Sequence, residues 1–331
     1  MEKPEPSPNT PASKPVEIVN RINRILEKCM PLLAPLGIAL ALIIPWAFIP
    51  LRPFIILFFA VMTFAGALRL RLQELGKVIS SPLPIVFFFI SARVILPVII
   101  FFLSRLFMKN EPDLVAGFVL LYAVPTAVTS FIWVSIFKGD PALALALIMI
   151  DTILAPIVTP GTVWILLRTS VNLDIAGMAV SLIFMILIPT ILAMVINEAS
   201  KGRFTVAADP WLGPLSKFFM LLLIATNSAL VLPDIRFNDP QMLLLIPACI
   251  VFTALSFVSG KLVGLALGIG KEKQSSIFFA SGLKNVNASL TLGAEFFPGP
   301  AALPTLLGFV FQQILAAVMG RFMLGKISKD K

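Results

Sequence analysis

The chain has no histidine, a single tyrosine, two cysteines and few charges for its 331 residues, 13% against the roughly 25% of an ordinary soluble domain. With no His and only Cys29 and Cys249, neither a zinc centre nor a disulfide framework can be assembled. General acid–base catalysis also loses its commonest residue. What fills the space is apolar: 58% of residues are hydrophobic and the mean hydropathy is +0.99. The bilayer is therefore the solvent, and lipid the first partner.

A net charge of +9 invites a nucleic-acid reading. The basic residues are spread between apolar runs and form no basic face, so nucleic acid is excluded as a partner and the positive-inside rule accounts for the charge. Residues 1–29 are a disordered tail and an interfacial helix. Met1 to Glu17 lacks the apolar core of a signal peptide, and Ile18 to Cys29 alternates Ile22, Ile25 and Leu26 with Arg21, Arg24 and Lys28 at helical spacing.

Ten apolar segments of near-spanning length follow, at about 30–49, 53–68, 82–106, 114–137, 141–168, 173–196, 214–233, 241–268, 275–297 and 301–320. Counting Lys and Arg in the connections with the N-terminus inside gives roughly eighteen on the cytoplasmic side and five opposite. The expectation is an all-α polytopic protein of the cell (plasma or inner) membrane with both termini cytoplasmic. Leu68 to Ile79 and Ala199 to Leu215 mix charge with apolar residues and read as interfacial helices.

Two spans are interrupted. The fourth breaks at Val124-Pro125-Thr126-Ala127-Val128-Thr129-Ser130 and the ninth at Ser281-Gly282-Leu283-Lys284-Asn285-Val286-Asn287. The breaks occupy corresponding places in two five-span halves, and an odd number of spans inverts the second half. Paired interruptions of this kind point to a transporter's midplane site. At about 1.5 Å per residue, Arg93, Pro125, Asp151, Lys284, Gln312 and Gln313 all fall near the middle of a ~30 Å hydrocarbon core. Broken helices free backbone N–H and C=O groups there, so Pro125, Thr126, Thr129, Ser130, Asn285, Asn287, Gln312 and Gln313 are candidate substrate ligands. Arg93, Asp151 and Lys284 are candidate coupling or charge residues. Two cations against one acid favour an anionic substrate, and Asp151 or Lys284 is a candidate proton carrier. Whether Asp151 pairs with Lys284 or with Arg93 is open at this stage. The bland alternatives are a kink at Pro125, a structural ion pair, and interhelical glue at the glutamines.

Lys138-Gly139-Asp140-Pro141-Ala142-Leu143, followed by Thr152-Ile153-Leu154-Ala155-Pro156 and Thr159-Pro160, resembles the junction of the fourth and fifth spans in the bile acid:sodium symporter family. Gly282-Leu283-Lys284-Asn285 is similar to that family's Gly-x-Gln-Asn crossover. The resemblance covers most of residues 30–325. It implies a transporter domain over 30–325 with a panel (30–68 and 173–233), a core (82–168 and 241–320), and crossing fourth and ninth helices. The Lys/Arg count makes 321–331 a cytoplasmic tail, and the resemblance also implies alternating access. It further implies organic-anion uptake coupled to sodium, but the sodium ligands are largely replaced. The shared carboxylate falls at Ala280, the crossover glutamine at Lys284, the asparagine of the fourth span at Phe131, fifth-span hydroxyls at Ala144 and Ile148, and the third-span glutamine at Ala92. None of these side chains supplies an oxygen. The expectation is sodium-independent transport with no cofactor, the Lys284 ammonium standing in for one sodium ion.

Three functions compete: a secondary transporter or facilitator of a small organic anion, a proton-coupled cation antiporter of similar fold, and a non-transporting organic-anion receptor. An intramembrane enzyme is disfavoured, because Asp151 has no second midplane aspartate beside it.

Overall fold

The computed structural model describes residues 21, 23, 26, 30–68, 70, 82–167, 173–234, 242–297 and 299–325. The N-terminal tail, most of the expected entry helix and interfacial segment 68–79, and residues 326–331 lie outside the described residues. Helices dominate and no strand occurs among the described residues. In chain order they are α1 (Met30–Ile43), α2 (Pro45–Ala67), α3 (Leu83–Phe107), α4 (Pro112–Ala123), α5 (Ser130–Ile136) and α6 (Pro141–Leu167). The second half continues with α7 (Ile175–Ala199), α8 (Arg203–Val231), α9 (Met242–Ala266), α10 (Lys271–Gly282), α11 (Val286–Phe296) and α12 (Leu303–Leu324).

Seven helices among the described residues are long and apolar enough to cross a bilayer. The short α1 and the broken pairs α4–α5 and α10–α11 make up the rest. This is an all-α polytopic membrane protein. Each helix of the first half has a partner six places later, and exchanging partners maps most of the packing onto itself. Thus α1 packs on α8 as α7 packs on α2, α3 on α4 as α9 on α10, and α6 on α10 as α12 on α4.

One boundary differs from the sequence expectation. The stretch 199–215 forms no separate interfacial helix; Gly202 turns the chain in the left-handed region (φ 79°) and α8 then runs unbroken for 29 residues through Pro210 and Pro214. The turn is tied down locally. Thr205 Oγ1 donates to Asn197 Oδ1 (2.7 Å) and to Leu68 O (3.2 Å), which fastens the start of α8 to the ends of α7 and α2.

The two breaks have different local causes. Val124 precedes a proline and is driven to extended geometry (φ −71°, ψ 158°), so α4 stops there. In the ninth span α10 ends at Gly282, where a Cβ would come within 2.0 Å of the Phe257 ring, and Leu283 is extended. Asn285 restarts the chain as the N-cap of α11, its Oδ1 accepting from Ala288 N–H at 3.2 Å. The extended segments cross antiparallel, as inverted halves require. Ala127 N–H donates to Leu283 O (2.9 Å) and Asn285 N–H to Pro125 O (2.7 Å).

The Lys138-Gly139-Asp140 junction is a joint between helices. Lys138 takes a left-handed conformation (φ 51°), and Asp140 caps α6 by accepting from Leu143 N–H at 3.0 Å. Ser276 Oγ on α10 donates to Asp140 O at 2.7 Å. A side chain on Gly139 would press on Val134, Ser275 and Ser276, so the glycine permits α5 and α10 to close together.

Candidate functional site

Thr126 and Lys284 face one another at the crossing. Their backbone N–H groups point away from each other, and each is taken by a side chain from the last helix of its own half. Thr126 N–H donates to Asp151 Oδ2 on α6 at 2.7 Å. Lys284 N–H donates to Gln312 Oε1 on α12 at 3.1 Å.

The carbonyls freed by the breaks are answered from the third helix of each half. Arg93 lies in a π-helical turn, Ile90–Ile95, within α3; such a bulge re-aims a side chain without ending the helix. Its Nη1 donates to Ala123 O and, at 2.6 Å, to Val124 O. Its Nη2 donates to Thr159 Oγ1 at 3.2 Å. Nε lies 3.0 Å from Asp151 Oδ1, an ion pair by distance although its N–H direction misses the oxygen. In the second half Ser256 Oγ on α9 donates to Gly282 O at 3.2 Å. Thr126 Oγ1 donates to Ala280 O at 2.9 Å, stitching the first crossover to α10.

Lys284 completes the cluster. It has no exposed surface, and the one hydrogen bond its ammonium makes among the described residues runs to the backbone carbonyl of Ala92, at 3.3 Å. Arg93 and Asp151 are both within electrostatic reach. The partner of Asp151 is thus Arg93. A buried pair is held by its extra hydrogen bonds, since the desolvation of two ions offsets most of their attraction, and Arg93 and Asp151 have those bonds. Lys284 has one.

The sequence candidates divide by exposure. Arg93, Pro125, Thr126, Ser130, Asp151, Lys284 and Gln312 are buried, whereas Thr129, Asn285 and Asn287 are partly exposed and Gln313 is exposed. Gln313 Oε1 accepts from Trp133 Nε1 at 2.8 Å. Among the described residues, buried polar atoms without a hydrogen bond lie around the crossing: Ser130 Oγ, Ser281 Oγ, Asn287 Oδ1 and Gln312 Nε2. Thr159 and Ser256 escaped the sequence reading. Thr159 had a usable signal, since Asp151, Ala155 and Thr159 follow at i, i+4 and i+8 and share one face of α6. Ser256 had none, one serine in an apolar helix being ordinary.

The residues expected to hold sodium in this geometry do not suit it. A hard cation needs several oxygen ligands; Ala92, Ala144, Ile148 and Ala280 offer no side-chain oxygen, and an ammonium occupies the approach to the Ala92 carbonyl.

The model of the sodium bile acid symporter family matches residues 56–233. A Bacillus subtilis protein described as uncharacterized, YbaS, is 33% identical over 310 residues, 90% of this chain and 97% of the relative. A second B. subtilis protein, described as the uncharacterized sodium-dependent transporter YocS, is 20% identical over 317 residues (96% and 97%). A chloroplast protein of Arabidopsis thaliana described as the probable sodium/metabolite cotransporter BASS1 is 24% identical over 309 residues (92% and 75%). With its family model matched over more than half its length and a one-third-identical relative aligned almost end to end, this multi-pass membrane chain belongs to the sodium bile acid symporter family of transport proteins.

Proposed function

We propose that this protein is a secondary transporter of a small organic anion in the cell membrane, working without sodium, with the Lys284 ammonium in the electrostatic role of a bound cation. The observation that carries the reading is the partnering of the buried charges. Asp151 is committed to Arg93 and to the Thr126 N–H, so the second cation, Lys284, has no carboxylate of its own among the described residues. A buried excess of one positive charge calls for an anion or for loss of the proton. Thr129, Asn285, Asn287 and Gln313, the accessible polar groups at the crossing, are suited to hydrogen-bond a carboxylate or sulfonate.

The same partnering favours Lys284 over Asp151 as the proton carrier. Asp151 Oδ2 accepts from the Thr126 N–H and Oδ1 lies 3.0 Å from Arg93 Nε, and protonating the carboxylate would strand Arg93. It also weighs against the cation antiporter, which needs a carboxylate free to take a cation. Relatives are named as sodium-dependent, so the ion requirement is where this chain is expected to depart from them.

The test is uptake of labelled organic anions into proteoliposomes, with sodium or choline as the only monovalent cation and with or without an imposed proton gradient. Uptake equal in both salts and driven by inward protons is the expected result. Uptake that needs sodium would overturn the sodium claim, and proton-driven uptake unchanged in Lys284→Gln would overturn the carrier assignment. Sodium/proton exchange without anion flux would favour the antiporter, and anion binding without flux a receptor.

A further inference from the structure

Three amides at the crossing have their carbonyl oxygens engaged, each by a group that can only donate. Gln312 Oε1 accepts from the Lys284 N–H at 3.1 Å, Asn285 Oδ1 from the Ala288 N–H at 3.2 Å, and Gln313 Oε1 from the indole Nε1–H of Trp133 at 2.8 Å. A donor on one side of a planar amide fixes which way it faces, so each of the three turns its NH2 group away from that donor. Gln312 Nε2 has no hydrogen-bond partner among the described residues, although Gln312 is buried. Gln313 is exposed. Asn287 is not fixed in this way, its Oδ1 being unpartnered among the described residues.

The three donors differ in kind. Two are backbone N–H groups, set by the crossover and by the first turn of α11, and any residue but proline would supply them. The third is a side chain. The Trp133 ring on α5 stacks on Phe279 of α10, with centroids 6.0 Å apart and 20° between the planes, and lies 6.4 Å from the Phe137 ring at 34°. Phe279 is wholly buried, and Gly320 on α12 makes room for both phenyl rings, since a Cβ there would come within 2.6 Å of Phe137 and 3.0 Å of Phe279. The indole is therefore held in place, and its N–H direction with it. Packing alone does not call for that N–H, because a phenylalanine would also stack on Phe279.

We propose that Trp133 is the positioning residue of the anion site. By holding Gln313 with its oxygen turned to the indole, it leaves the NH2 group as the part a solute meets. With Asn285 and Gln312 fixed in the same sense, these amides donate and do not accept. Such a lining takes a group that only accepts, a carboxylate or sulfonate, and disfavours the isosteric carboxamide, which sets an NH2 group against N–H groups at one of its two positions. The proposal rests on the anion reading of this site and adds how the site tells an anion from its neutral analogue.

The test is binding to the full chain in detergent micelles, with acetate and methanesulfonate as anionic probes and acetamide as the neutral isostere of acetate, read by saturation transfer to the probe methyl group. The starting protein should bind both anions and prefer acetate to acetamide by about tenfold. Trp133→Phe keeps a ring on Phe279 and removes the N–H, so acetate should bind about tenfold more weakly and the preference over acetamide should shrink towards one. Gln313→Met should weaken acetate by a similar factor, and the double variant should be no worse than Gln313→Met alone, because Trp133 acts through Gln313; a packing role for Trp133 would give additive losses. If Trp133→Phe does not fold, Gln313→Glu decides. It keeps an oxygen for the indole and puts a second oxygen where the NH2 group was, so the preference should invert in favour of acetamide. No anion binding by the starting protein, additive losses, or a preference unmoved in the variants that fold would overturn the assignment. Anion flux in proteoliposomes alongside any of these would leave transport standing without Trp133, and the expected binding without flux would keep Trp133 and remove transport.

Discussion

The two halves of the molecule meet one structural need with different chemistry. Each must break a helix in the middle of the membrane and satisfy the backbone groups thus released. The first half does so with ions: Asp151 takes the Thr126 N–H and Arg93 takes the Ala123 and Val124 carbonyls. The second does so with neutral groups: Gln312 takes the Lys284 N–H and Ser256 the Gly282 carbonyl. The neutral half is the one that carries a further cation, Lys284, at its crossover. Arg93 and Asp151 neutralise one another, and in the function proposed above Lys284 is the charge that responds to a ligand or a proton.

That division can be broken first where it is strongest. Arg93→Met or Asp151→Leu alone leaves a buried charge without its partner and should destabilise the fold by about 3–5 kcal/mol, with the double variant recovering most of the loss. Reversible unfolding in mixed detergent micelles measures the cycle; additive losses would show that the two residues do not act as a pair. Lys284→Gln should behave in the opposite way. It removes an ammonium that has one carbonyl partner, so stability should hold or rise while anion transport falls about a hundredfold, a loss of ~2.7 kcal/mol in the transport barrier. A large drop in stability with transport intact would place Lys284 in the scaffold with Arg93.

Much of this architecture was legible in the sequence because a polar residue in an apolar run is conspicuous. The two breaks, and the common depth of Arg93, Asp151, Lys284 and Gln312, follow from that contrast alone. The choice of partner for Asp151 was not legible, because it depends on the π-turn at Ile90–Ile95, and a change from i+4 to i+5 bonding leaves no trace in hydropathy. Nor was the split between buried Gln312 and exposed Gln313 readable from two adjacent glutamines. The unbroken α8 was missed for a related reason. Ala199 to Leu215 mixes charge with apolar residues and so reads as an interfacial helix, and nothing in its hydropathy shows that one helix continues through Pro210 and Pro214 into the span.

The neutral half yields smaller effects, and their ratio sharpens the comparison. Gln312→Leu strands the Lys284 N–H and should cost about 1–3 kcal/mol. Ser256→Ala should cost less, ~1 kcal/mol, because the Ser256 hydroxyl is shared: it donates to Thr253 O at 2.7 Å and to Gly282 O at 3.2 Å. Its removal empties little volume, and the Gly282 carbonyl loses the longer of the two bonds. The expected outcome in the same unfolding assay is a rank order of Arg93→Met, Gln312→Leu, Ser256→Ala. A Ser256→Ala loss as large as that of Arg93→Met would mean that the second crossover depends on its single neutral donor as heavily as the first depends on its guanidinium, and the division between an ionic and a neutral half would then be one of composition without consequence for stability.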